Sequence, residues 1–182
     1  DQEIIPLHIL DGVGDLLGLI RDDMPERKGS SRFAADLGPG ESTYTEYDRN
    51  IASEAVRWLN EEAPKYEEKP WVLFVSFVCP HYPLIAPPEY YEMYPEADVP
   101  MPLFYTEEKR PTHEYYKKMH ACINYDKFFD EEKIRKAVAG YLGLCTFMDA
   151  NVGTVLDALE RSELSSETRV IYTSDHGETL GK

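Results

Sequence analysis

Two short runs of β-branched and aromatic residues, WVLFVSF at 71–77 and RVIYTSD at 169–175, frame the longest periodic stretch of this chain. Each is too short for a buried helix and rich in strand formers, so each reads as a central strand. Between them, from Glu131 to Arg161, the residues Ile134, Val138, Tyr141, Leu142, Cys145, Val152, Val155, Leu156 and Leu159 keep helical spacing on one face. Strand, long amphipathic helix, strand is a β-α-β pattern; it predicts an α/β sheet with parallel pairing, through a crossover that is right-handed in about 98% of cases. Parallel strands release their carboxyl ends at one edge of the sheet, where open α/β folds place ligands. His81 lies just beyond the first run, and Asp175 with His176 closes the second. The topology therefore predicts that three ligand-capable side chains, distant in sequence, face one pocket.

The remaining elements are placed by punctuation. From Thr45 to Ala63 the residues Ile51, Ala52, Ala55, Val56, Leu59 and Ala63 are helically spaced, with Thr45 as N-cap and Pro64 as the stop. EIIPLHIL, residues 3–10, is an edge strand or an extended segment because of Pro6. The prolines at 83, 87, 88, 95, 100 and 102 predict an extended, irregular connection, and 99–129 reads as irregular too. A chain of 182 residues with 42% hydrophobic residues supports one domain, residues 1–182, with a core of its own.

Charge narrows the partners. With 19 Lys and Arg against 34 Asp and Glu, the net charge of -15 argues against a nucleic-acid surface. An anionic substrate is repelled as well: two like charges about 4 Å apart cost roughly 4 kcal/mol at an effective dielectric of about 20. A site for sulfate or phosphate in this chain needs a local cation, which points to a metal. Cys79, Cys122 and Cys145 are widely spaced, without a C-x-x-C pair, so neither a disulfide framework nor a cysteine-rich zinc site is indicated. Reduced thiols favour a cytoplasmic setting. No apolar run is long enough to cross a membrane. The chain opens at Asp1 rather than Met and reads as an internal portion of a longer protein, so a removed targeting segment leaves localisation open. Nothing in the sequence encodes an oligomeric state.

Each motif has an ordinary reading beside its chemical one. Asp175-His176-Gly177 is either a strand-end turn, with Asp capping and Gly supplying a positive φ, or a carboxylate and imidazole suited to Mg, Ca or Mn. Adjacent residues supply two ligands at most, so others come from elsewhere. Cys79-Pro80-His81-Tyr82-Pro83 is either a stiff loop with its histidine packed on tyrosine rings or a histidine held to address an oxyanion. Cys79 has no base or cationic neighbour in sequence to make it a nucleophile. Gly12-x-Gly14-x-x-x-Gly18 lacks the uninterrupted strand and helix of a dinucleotide loop. His8, His113 and His120 have no ligand spacing, and Glu107 to Arg110 reads as a solvated charged face.

TSDHGETLG, preceded by a helix carrying FMDANVGTVLDALE (147–160), resembles the carboxyl-proximal signature of type I sulfatases in the alkaline-phosphatase-like superfamily. WVLFVSFVCPHYPLIAPPEYYEMYP, residues 71–95, resembles the strand, active-site histidine and substrate-side loop of the same family, and the order and spacing agree. The likeness covers most of residues 46–182 and is nearest in flavour to the choline-sulfatase and phosphonate monoester hydrolase branch. It implies a three-layer α/β sandwich with a mostly parallel sheet, incomplete in this chain. It also implies metal-dependent hydrolysis of a small-molecule sulfate ester by a formylglycine made within a C/S-x-P-x-R motif. Asp175 and His176 would then be metal ligands, with Ca, Mg or Mn as the ion, and His81 would touch the sulfate or leaving-group oxygen. No C/S-x-P-x-R occurs here, and the family's amino-terminal Asp pair, its Lys/His motif and the lysine after DHG have no clear counterpart; Lys182 stands too close to Gly177. The chain is thus expected to be inactive alone. The alternatives are a phosphonate or phosphate ester hydrolase of the same fold and an inactive, sulfatase-like binding module.

Overall fold

The computed structural model describes residues 30–66 and 69–178. Residues 3–10, the glycines at 12, 14 and 18, His8 and Lys182 lie outside them. In chain order the elements are α1 (Ser30–Phe33), β1 (Leu37–Pro39), α2 (Thr43–Glu61), β2 (Leu84–Ala86), α3 (Pro88–Tyr91), α4 (Glu114–Ile123) and α5 (Glu131–Arg161). They fall into two compact units. One holds the described residues 30–35 and 101–130, the other 36–100 and 131–178.

The larger unit is a pair of helices against a parallel strand pair. Helix α2 opens with a capping box: the Ser42 hydroxyl accepts from the Thr45 N–H, while the Thr45 hydroxyl oxygen accepts from the Ser42 N–H. The cap is therefore three residues earlier than the predicted Thr45, which instead closes the box. Its buried positions, Thr45, Asp48, Ala52, Ala55 and Leu59, step by three and four along one face. Arg49 lies over the Phe147 ring at 5.0 Å, and Leu59 packs with Ala158 and Leu159, so α2 and α5 run in the same direction.

Helix α5 occupies the predicted span, but its deepest seam is made of Ala139, Gly140, Gly143, Leu144, Phe147 and Ala158, while Leu156 is exposed. Small residues carry the closest approaches here. A Cβ on Gly140 would overlap the Leu84 carbonyl, and one on Gly143 would come within 2.9 Å of the Ala86 Cβ. Their hydrogens let β2 lie directly on the helix. By length and composition α5 could cross a membrane; its packing against α2, α3 and both strands makes it the central helix of this unit.

The sheet differs from the predicted one. β1 and β2 pair in parallel, Leu37 with Leu84 and Pro39 with Ala86. Residues 71–77 and 169–175 join no ladder among the described residues. From Trp71 to Phe77 the chain alternates half-buried and exposed with period two, the signature of a strand face, yet Val72 is 95% and Phe74 86% exposed. Trp71 and Leu73 pack toward Leu59 and Ala158, so one face is used and the other is bare. Residues 169–175 are exposed throughout. A strand's pattern is intrinsic to its sequence, but its ladder needs a neighbouring strand, which these residues do not supply. The proline-rich connection is also more ordered than expected. Pro87 and Pro88 start α3, whose first turn has no use for a proline N–H, and the Tyr91 hydroxyl donates to Glu96 at 2.7 Å.

In the smaller unit α4 fills part of the stretch expected to be irregular. His113 caps it, its Nδ1 accepting from the Tyr115 N–H, and Asn124 ends it with φ 49°. Arg110, expected on a solvated face, is an anchor. Its guanidinium donates to the Phe104 and Tyr105 carbonyls and to both Asp126 oxygens, and it meets His120 Nε2 at 3.1 Å.

Candidate active site at the ends of two extended segments

His81 is presented by a turn pinned on both flanks. Ahead of it, the fully buried Asp48 of α2 accepts the backbone N–H groups of Val78 at 2.8 Å and Cys79 at 2.9 Å. The Val78 carbonyl then accepts the His81 N–H at 3.0 Å. Behind it, the Tyr82 hydroxyl donates to Asp36 at 2.6 Å. Both proline bonds of the motif, Cys79-Pro80 and Tyr82-Pro83, are cis. The imidazole is exposed, with Tyr44 edge-on at 5.8 Å, so the expected packing on a tyrosine ring is present as well. Its Nδ1 lies 2.7 Å from the Tyr82 carbonyl. A carbonyl only accepts, so Nδ1 carries the proton and Nε2 is left to face a ligand.

Asp175 and His176 stand exposed and turned toward each other. Asp175 Oδ1 accepts the His176 N–H at 2.8 Å, and Asp175 Oδ2 lies 3.6 Å from His176 Nε2. The other ring nitrogen, Nδ1, donates to the Gly177 carbonyl at 2.9 Å. That bond and the nearby carboxylates of Asp175 and Glu178 hold the imidazole above its ordinary pKa, while the His176 N–H, then the His176 charge, hold Asp175 below the usual carboxylate range. One oxygen and one imidazole nitrogen thus stand close together with their second partners already fixed, the arrangement in which a metal-bound histidine anchors its other N–H on a carbonyl. The donor set fits a divalent ion of the Mg, Mn or Ca kind. Among the described residues no third His, Cys, Asp or Glu completes a cluster.

The two segments run the same way. Trp71 meets Trp58 and Cys79 meets Asp48, so 71–79 runs against α2. Tyr172 reaches Met148 and Glu178 reaches Tyr141, so 172–178 runs against α5. Since α2 and α5 are parallel, so are the two segments. Among the described residues no hydrogen bond or ion pair joins His81 to Asp175 or His176.

Cys79 is unsuited to nucleophilic work. Burial, then the adjacent Asp48 charge, pushes its thiol far up, and it forms no disulfide among the described residues. Asp48 is the residue that sequence patterning passes over. Its only signal is a carboxylate at i+3 from Thr45 and i-4 from Ala52, on the apolar face of a helix.

Known proteins are similar to this chain. The family model described as Sulfatase matches residues 21–182. The chain is 28% identical over 166 residues to an arylsulfatase of Clostridium perfringens, covering 86% of this chain and 34% of that protein. It is 27% identical over 144 residues to a choline-sulfatase of Rhizobium meliloti, covering 75% and 28%. It is 33% identical over 125 residues to the multifunctional alkaline phosphatase superfamily protein PehA of Trinickia caryophylli, covering 62% and 24%. The chain thus spans about a quarter to a third of the length of these relatives. With the α/β layering, the parallel segments and a match over nearly all its residues, this chain belongs to the sulfatase family.

Proposed function

We propose that the whole protein hydrolyses small-molecule sulfate esters, that residues 1–182 form part of its one catalytic domain, and that His81, Asp175 and His176 serve one site. The observation that supports this reading is the shared direction of the two segments, each running against one of the parallel helices α2 and α5. His81 would use Nε2, its Nδ1 proton being committed to Tyr82. In its charged form Nε2–H donates to a sulfate oxygen or to the oxygen of the departing alcohol, where negative charge grows as the S–O bond breaks. Asp175 and His176 would supply two ligands to a divalent ion. When bound, that ion acts as a Lewis acid on the sulfate and offsets the repulsion of an anion by a chain of net charge -15.

The sequence contains no C/S-x-P-x-R, so a formylglycine nucleophile, with the remaining metal ligands, would come from elsewhere in the whole protein. The 182-residue chain alone is therefore expected to be inactive. Steady-state hydrolysis of p-nitrophenyl sulfate by the full-length protein tests the reading. Chelation should abolish turnover, Mn, Mg or Ca should restore it, and His81→Ala should lower kcat by roughly 10²- to 10⁴-fold. Turnover that ignores both treatments contradicts the proposal.

The similarity to PehA, named as multifunctional, favours a second reading, hydrolysis of phosphonate or phosphate esters at the same residues. The ratio of kcat/KM for matched sulfate, phosphate and phosphonate esters separates the two.

A further inference from the structure

We propose that Asp48 is a positioning residue for His81, acting through the backbone of the turn; the inference rests on the reading of His81 as the group that addresses the ester. Asp48 is fully buried, and among the described residues no cation pairs with it. A buried carboxylate without a counter-ion persists only when hydrogen bonds satisfy it. Here each oxygen takes one backbone N–H, and the two donors are consecutive residues, Val78 and Cys79, at distances of 2.8 and 2.9 Å. These N–H groups would otherwise be orphans where the extended segment ends. The constraint passes on through the Val78 carbonyl, which accepts the His81 N–H at 3.0 Å. One turn earlier on the same helix face, Tyr44 sets its ring edge-on to the imidazole at 5.8 Å. A single turn of α2 therefore fixes both the backbone that carries His81 and the plane of its ring.

Asp48→Asn tests this in the full-length protein, because it keeps one acceptor oxygen and turns an amide NH₂ against the other N–H. Its expected effect is a fall in kcat on the order of 10²-fold, as for a slight misplacement of a catalytic group, with KM within about three-fold. In a His81→Ala background the same substitution should cost nothing further, giving a strongly non-additive cycle. Equal losses in both backgrounds, or a folded variant with unchanged kcat, would overturn the proposal. A second readout is independent of turnover: the ¹⁵N shifts of the His81 imidazole should move in Asp48→Asn, while those of His113 and His120 stay fixed. An unmoved His81 resonance overturns positioning. If His81→Ala leaves activity intact, the reading of His81 has failed, and the imaging of its ring by these shifts still decides whether Asp48 positions it. Asp48→Ser gives the same two readouts where the asparagine variant does not fold.

Discussion

At the residue scale, the chemistry turns on which polar atoms are already committed. His81 and His176 each spend Nδ1–H on a neighbouring carbonyl, Tyr82 and Gly177 respectively, leaving Nε2 for a ligand. Sequence alone identified His81, Asp175 and His176 as candidates, because strand ends followed by Pro or Gly are visible in one dimension. It could not show Asp48, whose partners lie 30 and 31 residues away, nor the tautomers, which depend on how each ring folds back onto the next residue's carbonyl. Cys79 illustrates the reverse: its proline neighbours draw attention, but burial and Asp48 keep its thiol protonated. In native protein at pH 8, iodoacetamide followed by peptide mass mapping should leave Cys79 unmodified and modify it only after denaturation. Native-state labelling at Cys79 would contradict this assignment.

At the element scale, the long helices were legible and the ladder was not. Periodicity gave α5 its full span, because helical spacing is internal to the segment. The deep seam escaped because it consists of Ala139, Gly140 and Gly143, whose value lies in what they lack. Strand pattern gave the faces of residues 71–77, but pairing belongs to two segments at once, and the ladder that formed was 37–39 with 84–86. Two glycine substitutions separate packing from propensity. Gly140→Ala should destabilise by about 1–3 kcal/mol, because its methyl meets the Leu84 carbonyl. Gly153→Ala, with open space around it, should stabilise by up to about 1 kcal/mol. Urea unfolding of both variants checks the opposite signs. The start of α2 carries a pH signature. The Arg49 guanidinium, then the Thr45 hydroxyl, holds Glu41 below the usual carboxylate range, with bonds of 2.7 and 2.8 Å to Arg49. A depressed carboxyl contributes its stability above its unfolded value, near pH 4.3, and loses it as pH falls through the folded value. Glu41→Gln should therefore lower stability at neutral pH and flatten its decline below about pH 4.3, read from urea midpoints across that range.

At the scale of the whole molecule, two facts belong together. The chain spans 34% of one relative and 28% of another, and the outer faces of its strand-like segments are bare, with Val72 95% and Ile171 82% exposed. Exposed apolar side chains of this kind favour association. The 182-residue chain should therefore bind a hydrophobic dye, and Val72→Lys with Phe74→Lys should reduce both dye binding and light scattering. The central claim, that two distant strand ends serve one metal-assisted site, is tested most directly by paramagnetic broadening. With full-length protein carrying ¹⁵N-histidine, Mn²⁺ should broaden the imidazole resonances of both His176 and His81, and Asp175→Ala should abolish both effects. Broadening of His176 with a sharp, unmoved His81 would show that the two ends do not share a site.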